Sequence, residues 1–295
     1  MSETTRFWIN GQLLPEREAM IPVTDHGLLY GDGVFEGIRF YHGRPFRLAA
    51  HLQRLDDSCQ AIRLSLPYSH QELTQAVDEI ISTFPESHGY LRLVVTRGTG
   101  PMGLDPSACR QPNVILIATQ LEMVDPELRN RGIRLIIAST RRLPSDGLDP
   151  RIKSLNYLNH ILARMEATQA GAQEAVLLNN QGRVAEGSVE NIFIVRNDHI
   201  ITPRAVDGAL AGITRNVILQ LAVALNIPAT EAPLTPYDLY TADECFLTGT
   251  GAELVPVREV DGRALRHCPG PVFSALASAF QQQLASECKP KAPAA

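Results

Sequence analysis

Turn signals between short apolar segments restrict the possible folds of this chain more than any other feature. An Asn-Gly and a His-Gly dipeptide each separate two such segments, and Asn-Gly favours the tight turns with positive φ that join antiparallel strands. The segments and turns are Phe7–Ile9, Asn10-Gly11 and Gln12–Leu14, and Val34–Tyr41, His42-Gly43 and Pro45–Leu48. We therefore predict two β-hairpins, which argue against a purely parallel doubly wound sheet and favour a mixed α/β fold.

The remaining periodicity predicts helices and buried strands in two domains. A chain of 295 residues is long for one core, since domains usually contain about 100–150 residues. We predict a small α/β domain at 1–120, a linker at 121–131, a large domain at 132–287 and a disordered tail at 288–295. Helices are expected near 50–64, 69–84, 155–170, 214–225 and 271–285, strands at 90–97, 114–121, 133–140 and 244–248, and a further hairpin between 175–178 and 192–195.

Charge and composition exclude several classes of protein. The net charge is −5 and no run of Lys or Arg occurs, so nucleic acids and anionic membranes are not expected partners. The N-terminal segment 1–6 is polar and no apolar stretch is long enough to span a bilayer, so we expect no signal peptide and a cytoplasmic location. The five cysteines and eight histidines lack the spacing of metal ligands, so no metal site is expected.

The segment Gly98–Gly103 matches the GxGxxG pattern of dinucleotide-binding loops. Such a loop must lead into a helix, because the pyrophosphate binds at the helix N-terminus. Pro101 and the following Leu-Asp-Pro-Ser interrupt the chain here, and no helix is predicted. A nicotinamide dehydrogenase, which rests on this pattern alone, is therefore disfavoured.

Lysine is nearly absent from the chain. Of the 27 Lys and Arg residues, only Lys153, Lys289 and Lys291 are lysines, and the last two lie in the predicted tail. Arginine stays protonated in proteins, whereas a lysine amine can lose its proton and attack a carbonyl carbon. Lys153 is therefore the candidate nucleophile, although a single lysine can also survive among arginines by chance.

Three further segments carry groups that suit a phosphate or a heterocycle. Glu186 precedes a glycine and offers a carboxylate that needs a cationic partner if it is buried. Gly212 and Thr214 stand at a predicted helix start, where backbone N–H groups bind anions, although helix capping explains Thr214 equally well. The Thr-Gly-Thr-Gly sequence at 248–251 follows a predicted strand and is a second candidate anion site.

Arg54 and Tyr157 complete the set of candidate side chains. Arg54 lies off the apolar stripe of its predicted helix, and Tyr157 follows Lys153 by four residues. The simpler interpretations are a surface arginine and a packed tyrosine. Together, however, a lysine for a Schiff base, a carboxylate for a ring nitrogen and two anion sites with an arginine describe a site for pyridoxal phosphate.

The chain resembles the fold-type IV pyridoxal-phosphate enzymes, most closely the branched-chain amino acid aminotransferases, from about Phe7 to Gly270. The segments that carry the resemblance are Tyr30–Arg39, His51–Leu55, Tyr90–Arg92, Lys153–Tyr157, Glu186–Asn191, Gly212–Arg215 and Thr248–Glu253. It implies a small two-layer α/β N-terminal domain and a larger C-terminal α/β pseudo-barrel domain. It also implies at least a homodimer, in which the loops around Tyr30 and Gly100 reach toward the neighbour's site.

The resemblance implies a role for each candidate residue. Pyridoxal 5′-phosphate would form a Schiff base with Lys153, and an amino group would pass from L-leucine, L-isoleucine or L-valine to 2-oxoglutarate. The cofactor phosphate would be held by Arg54, Ile213, Thr214 and Thr250, the ring oxygen by Tyr157 and the ring nitrogen by Glu186, and Gly249 would also bind the cofactor. The substrate would contact Tyr30, Phe35, Tyr90, Arg92 and Gly251, with the distal carboxylate of glutamate at Arg92.

Two features leave the substrate open. Thr96-Arg97-Gly98 and the compact Lys153–Asn156 spacing are also similar to the D-amino acid aminotransferases, in which an arginine at the position of Arg97 binds the substrate carboxylate. Gly251 stands where the branched-chain enzymes often have Ala. A D-amino acid or (R)-amine transaminase is therefore the alternative. An aminodeoxychorismate lyase fits Phe35-Glu36-Gly37 poorly, and an inactive binding protein of this fold need not retain Lys153 and Glu186 together.

Overall fold

The computed structural model describes residues 5–144 and 146–290. They form two compact units: unit 1 contains the described parts of Met1–Leu121, Ile152–Asn156 and Leu284–Ala295, and unit 2 contains those of Glu122–Arg151 and Tyr157–Gln283. From position 291 onward, the expected disordered tail lies outside the described residues. The segment around Lys153 therefore belongs to unit 1, although most of that unit comes from much earlier in the chain.

Unit 1 contains a six-stranded antiparallel sheet. Its strands are β1 (Arg6–Ile9), β2 (Gln12–Leu14), β3 (Gly33–Tyr41), β4 (Arg44–Pro45), β5 (Gly89–Thr96) and β6 (Asn113–Thr119). The order across the sheet is β2-β1-β6-β5-β3-β4. Both hairpins predicted from the turn dipeptides are confirmed, because β1 pairs with β2 and β3 pairs with β4. Asn10 and Gly11 have φ angles of 49° and 93°, which is the positive-φ conformation that such a turn requires.

Two helices cover one face of this sheet. The helices of unit 1 include α1 (His26–Tyr30), α2 (Leu48–Ala61) and α3 (His70–Ser82). Apolar side chains of α2 and α3 pack in one core with alternate residues of β3, among them Val34 and Ile38. Because successive side chains of a strand point to opposite faces, Phe35 and Gly37 lie on the face away from these helices.

Unit 2 is built on a nine-stranded mixed sheet. Its strands are β7 (Ile133–Ile137), β8 (Glu174–Leu178), β9 (Val184–Gly187), β10 (Asn191–Arg196), β11 (His199–Thr202), β12 (Ala229–Glu231), β13 (Glu244–Gly249), β14 (Glu253–Val260) and β15 (Arg263–Ala264). The order is β12-β11-β10-β13-β14-β7-β8-β9, with β15 paired to β14. The pairs β7–β8, β7–β14 and β11–β12 are parallel, so the mixed α/β class is confirmed.

Helices accompany this sheet along the second half of the chain. They are α4 (Pro126–Arg131), α5 (Leu158–Gln169), α6 (Ile213–Ala224), α7 (Pro236–Tyr240) and α8 (Pro271–Glu287). The helix expected from about 155 begins three residues later, because Lys153–Asn156 is not helical and Tyr157 is the N-cap of α5. Every helix in the described part of the chain lacks the combined length and apolar character of a bilayer crossing.

One pairing expected from the sequence is wrong. The segments 175–178 and 192–195 do not form a hairpin, since β8 pairs with β9, and β10 pairs with β11 and β13. A turn at Asn179–Gly182 returns the chain at once as β9, where Asn179 Oδ1 accepts from the backbone N–H of Gln181 and Arg183 at 2.9 and 3.0 Å. Apolar runs identify buried strands, but they do not specify which strand each one joins.

Helix α4 and strand β14 are among the elements that were not expected from the sequence. The proposed linker contains α4, because Asp125 Oδ1 accepts from the backbone N–H of Glu127 at 2.7 Å and Pro126 occupies the first helical position, an arrangement that starts helices. In the Thr-Gly-Thr-Gly segment, Gly249 is the last residue of β13. Thr250 and Gly251, together with Ala252, form the turn that connects β13 to its antiparallel neighbour β14. The second candidate anion site is therefore a hairpin end.

Candidate active site

Lys153 is held by its backbone against β3. The N–H of Phe35 donates to the carbonyl of Lys153 at 2.9 Å, and the N–H of Leu155 donates to the carbonyl of Gly33 at 3.0 Å. The N–H of Lys153 also donates to Ser58 Oγ on α2 at 3.3 Å. The side chain brings Nζ to 4.5 Å from the ring centroid of Phe35. The candidate nucleophile thus has a rigid backbone and an amine beside an apolar ring.

Three predicted substrate residues share one face of unit 1 with this amine. In the β3–β5 register, Gly37 stands opposite Arg92 and Arg39 opposite Tyr90, and directly opposed residues point to the same face. The Cζ atom of Arg92 lies 4.3 Å from the ring centroid of Phe35 and 5.9 Å from that of Tyr90. Arg92 has no ion pair with an acidic residue anywhere in 5–144 or 146–290. An amine, an aromatic wall and a cation are therefore adjacent.

The absence of a side chain at Gly37 leaves space for the Tyr90 side chain on this face of the sheet. A Cβ atom at position 37 would lie 2.1 Å from the Tyr90 hydroxyl oxygen, so any other residue would displace the tyrosine. The motif Phe35-Glu36-Gly37 thus combines the aromatic ring beside Lys153 with the space that Tyr90 needs.

Tyr30 belongs to a different cluster of unit 1. Its hydroxyl accepts from the backbone N–H of Gly103 at 3.1 Å and donates to Met102 Sδ at 3.8 Å, and its ring packs edge-on against His26.

The GxGxxG segment, Gly98–Gly103, is an irregular loop, and it is followed by a three-residue 3-10 turn, Pro106–Ala108. The expectation that this segment does not open a dinucleotide-binding helix is confirmed.

Arg97 is engaged by the protein itself. Its Nε and Nη2 donate to the two carboxylate oxygens of Asp32 at 2.8 and 2.9 Å. Nη1 donates to the carbonyl of Arg63 at 2.7 Å, and Nη2 also donates to the carbonyl of Ile62 at 2.8 Å. These bonds use four of the five N–H donors of a guanidinium. The geometry gives Arg97 a structural role and makes it poorly suited to bind a substrate carboxylate.

Arg54 is bound to a buried carboxylate that the sequence reading did not identify. Its Nε and Nη2 donate to Oε1 and Oε2 of Glu36 at 2.7 and 2.8 Å, and His51 Nδ1 donates to Oε2 at 2.7 Å. Burial alone would raise the pKa of Glu36, but Arg54 and His51 hold it well below its usual range. A signal was present, because Glu36 interrupts the apolar row of β3 and His51 precedes Arg54 by one helical turn.

Glu186 in unit 2 also has an arginine partner. Arg142 Nε lies 3.2 Å from its Oε1, and the backbone N–H of Leu210 donates to Oε2 at 2.8 Å. Asn191 Nδ2 approaches the same oxygen at 3.4 Å. A buried carboxylate needs such neighbours, and Arg142 is a second functional candidate that sequence reading missed.

The N-terminus of α6 has the character of an anion site. Its N-cap is Gly212, which provides no side-chain hydrogen bond to the first turn, and Thr214 in that turn is buried. The helix packs against β13, where the Thr248 hydroxyl is buried without a hydrogen-bond partner among the described residues. First-turn N–H groups and an unpartnered hydroxyl are donors that suit a phosphate. The residues present in unit 2 therefore fit a phosphorylated cofactor.

Tyr157 borders a cavity of about 540 Å³ in unit 2. Its ring stacks on His160 with centroids 4.5 Å apart, and His160 Nδ1 donates a hydrogen bond to the carbonyl oxygen of Ser188 at 2.6 Å. This contact ties the first turn of α5 to the segment that follows Glu186. Glu190 also lines the cavity. Its pKa is raised well above the usual range, mainly because the carboxyl group is buried and to a smaller extent because the negatively charged Glu174 is nearby.

Comparisons with known proteins identify the family of this chain. The family model for amino-transferase class IV matches residues 33–260. A Methanocaldococcus jannaschii protein is 48% identical over 262 residues, which are 89% of this chain and 90% of that protein. The branched-chain-amino-acid aminotransferase of Pseudomonas aeruginosa is 39% identical over 279 residues, which cover 92% of this chain and 91% of the relative.

Solved structures extend the similarity to the fold. The crystal structure of the Escherichia coli branched-chain amino acid aminotransferase has a TM-score of 0.92 and 35% identity, covering 98% of this chain and 97% of the other. The branched-chain amino acid aminotransferase of Thermobaculum terrenum in its PLP form has a TM-score of 0.86, with 30% identity and coverage of 95% and 94%. The resemblance found in the sequence is confirmed, and the chain belongs to the class IV aminotransferase family.

Proposed function

We propose that this enzyme is a branched-chain amino acid aminotransferase that uses pyridoxal 5′-phosphate bound through Lys153. The observation that carries the proposal is the juxtaposition of the Lys153 amine and the Arg92 guanidinium at the ring of Phe35. It is supported by the branched-chain enzymes of Pseudomonas aeruginosa and Escherichia coli, which match nearly the whole chain. It is also supported by relatives whose structures contain pyridoxamine 5′-phosphate or the pyridoxal form.

The residues proposed to hold the cofactor are those whose positions and contacts are described above. Ile213 and Thr214 would donate first-turn N–H groups to the phosphate, together with Gly249 and Thr250 at the hairpin end and Arg54 from α2. Tyr157 would hydrogen-bond the ring oxygen, and Glu186 would hydrogen-bond the ring nitrogen. When bound, the pyridine ring withdraws electron density from the Cα atom of the substrate.

Lys153 would perform two tasks. Its Nζ would hold the cofactor through the aldehyde group, and as a free amine in the substrate-bound enzyme it would hold or move the proton of the substrate Cα. The hydrogen bonds of its backbone to β3 support this proposal, because proton transfer requires an amine held at a constant position.

The substrate pocket must accept both an apolar chain and a carboxylate. Phe35 and Tyr90 would contact the side chains of L-leucine, L-isoleucine and L-valine, whereas Arg92 would bind the distal carboxylate of 2-oxoglutarate or glutamate. Gly251 and Tyr90 would receive the α-carboxylate. The engagement of Arg97 by Asp32 opposes the D-amino acid alternative, which needs that arginine for the substrate.

We also propose that the enzyme acts in the cytoplasm as at least a homodimer, without nucleic acid or membrane partners. The loops around Tyr30 and Gly100 would reach the neighbour's site. Exposed apolar side chains on these loops, Met102 and Leu104, support this proposal, since exposed apolar patches mark association surfaces.

A donor panel tests the function. Purified protein should be yellow and should transaminate L-leucine, L-isoleucine and L-valine with 2-oxoglutarate, and it should not accept D-alanine or (R)-phenylethylamine. Lys153→Ala should lose both the colour and the turnover. A preference for D-alanine would overturn the substrate assignment, and a fully active Lys153→Ala variant would overturn the role of the lysine.

A further inference from the structure

Glu36 occupies a position where β3 otherwise contributes to the hydrophobic core. Its neighbours in the same row, Val34 and Ile38, are fully buried against α2 and α3, and Glu36 is itself 0% exposed. Replacing a buried ion pair by well-packed apolar residues is often neutral or stabilising. Stability of the fold therefore gives no reason for a carboxylate in this row, and the reason must lie in what the carboxylate holds.

Glu36 holds the guanidinium of Arg54 in one orientation. Both carboxylate oxygens accept from it, at 2.7 Å from Nε and 2.8 Å from Nη2, which is the planar two-bond arrangement characteristic of arginine and carboxylate. These bonds use one edge of the guanidinium and fix the direction of its remaining N–H groups.

His51 in turn fixes Glu36. Its Nδ1 lies 2.7 Å from Glu36 Oε2, and since an ionised carboxylate only accepts hydrogen bonds, Nδ1 carries the proton. Burial lowers the pKa of His51 despite its bond to Glu36, and the nearby cations Arg54 and Lys153 act in the same direction. Burial therefore favours the neutral imidazole, which still donates from Nδ1 to Glu36.

We propose that Glu36 and His51 are positioning residues that hold the Arg54 guanidinium ready for the cofactor phosphate. The inference rests on the proposed function, because it assumes that Arg54 binds this phosphate. Its consequence is that the phosphate-binding geometry of Arg54 already exists in the protein without cofactor. Loss of Glu36 should then weaken the recognition of a phosphate, not of the aldehyde ring.

Two ligands distinguish the contribution of the phosphate to binding from that of the aldehyde ring. Pyridoxal 5′-phosphate and pyridoxal carry the same aldehyde and ring, and only the first has a phosphate. Cofactor-free protein is titrated with each, and the ratio of the two affinities is measured for the wild type, Glu36→Gln and His51→Ala. We expect Glu36→Gln to bind pyridoxal 5′-phosphate about tenfold more weakly, as for the loss of one charge-assisted hydrogen bond, with pyridoxal nearly unaffected. His51→Ala should show the same selective loss to a smaller degree, and His51→Asn, which retains an N–H donor, should restore part of it.

Further variants test whether Glu36 affects the affinity for the phosphate through Arg54. In an Arg54→Ala background, Glu36→Gln should cause no further loss of phosphate-dependent affinity, because Glu36 acts through Arg54. Glu244→Gln is the control, since Glu244 is also buried and accepts from the backbone N–H of Val272 and Phe273 at 3.0 and 2.8 Å. It should lower the melting temperature and leave the affinity ratio unchanged.

The possible outcomes distinguish a failure of the positioning role of Glu36 and His51 from a failure of the proposed aminotransferase function. An unchanged affinity ratio in Glu36→Gln, or an equal loss for both ligands, overturns the positioning role. If Glu36→Gln does not fold, an unchanged ratio in His51→Ala overturns it instead. If the wild type binds the two ligands equally well, the phosphate site of the proposed function is wrong, whatever the variants do.

Discussion

Lys153 and Arg92 approach the same aromatic ring, and the two cations differ in the chemistry that each can perform. Nζ of Lys153 lies 4.5 Å and Cζ of Arg92 4.3 Å from the ring centroid of Phe35. A lysine amine can lose its proton and bond to carbon, whereas a guanidinium stays charged and offers several directed N–H groups. One cation is therefore suited to the aldehyde of the cofactor and the other to a carboxylate of the substrate.

Arg92→Gln should raise KM for 2-oxoglutarate far more than KM for L-leucine. The variant loses charge-assisted hydrogen bonds of about 1.5–3 kcal/mol, which corresponds to roughly 10- to 100-fold in affinity, while the apolar wall at Phe35 and Tyr90 remains. Steady-state kinetics with each substrate varied in turn provide the measurement. Equal increases in both KM values would contradict the assignment of Arg92.

Arg97→Gln should instead affect stability. It removes the partner of Asp32 and the donors to the carbonyls of Ile62 and Arg63, and breaking a largely buried pair costs about 3 kcal/mol. Urea unfolding should show this loss, whereas the preference for L- over D-amino acids should not change. A folded variant with altered stereochemical preference would restore the D-amino acid alternative.

At the scale of elements, helices of unit 2 position the loops that carry charged groups. Glu166 on α5 accepts from the backbone N–H and hydroxyl of both Ser139 and Thr140, at 2.5 to 2.9 Å. This anchors the loop just before Arg142, which pairs with Glu186. Burial raises the pKa of Glu166, but these hydrogen bonds outweigh it and lower the pKa to about 2.

Glu166→Gln should therefore reduce stability in a pH-dependent manner. Because the pKa of Glu166 is lower in the folded than in the unfolded state, its carboxylate stabilises the fold fully above the unfolded value of 4.5 and loses this effect as pH falls toward about 2. The difference in unfolding free energy between wild type and variant should be largest near neutral pH and should shrink in acid. A difference that grows on acidification would have the wrong sign.

Gly212→Ala should weaken cofactor binding through the N-terminus of α6. The added Cβ would lie 2.0 Å from Asn191 Oδ1, so Asn191 must move and lose its 2.9 Å bond to the carbonyl of Leu210. We expect roughly tenfold lower affinity for pyridoxal 5′-phosphate, the loss of about one good hydrogen bond. Gly147→Ala, whose nearest neighbour atom is 3.4 Å away, is the control and should bind normally in the same titration.

At the scale of the whole molecule, exposed apolar side chains bear on assembly. Met102 and Leu104 are 75% and 81% exposed on the loop that holds Tyr30. Larger contiguous patches of exposed apolar surface mark sites of association, and these two side chains would contribute to such a patch. If a second copy covers it, the loop serves association as well as the local fold of unit 1.

Met102→Glu combined with Leu104→Glu should convert the proposed dimer to monomer and reduce turnover. Buried carboxylates without partners oppose association, and light scattering after gel filtration gives the mass. Val223→Glu, at an equally exposed apolar residue of α6, should leave the mass unchanged. Wild-type protein that is a fully active monomer would rule out the proposed assembly.

Local patterns in the sequence were sufficient for the turns, for most helices and for the chemistry of the candidate residues. Asn10-Gly11 predicts its hairpin, Lys153 stands out by its amine, and Gly212 marks the start of α6. Each of these properties depends on a residue and its immediate neighbours, so it can be read without knowing the rest of the fold.

Long-range partners required the folded chain. The sequence marks Glu36 as a carboxylate in an apolar row, but it does not identify Arg54 and His51 of α2 as its partners, and it does not identify Arg142 as the partner of Glu186. The same holds for β10, which pairs with β13 and not with β8. Strand pairing and ion pairing depend on which distant segments meet, and many alternatives satisfy the same local pattern. The residue types thus specified the chemistry available, while packing selected which groups are neutralised, positioned or left to meet a ligand.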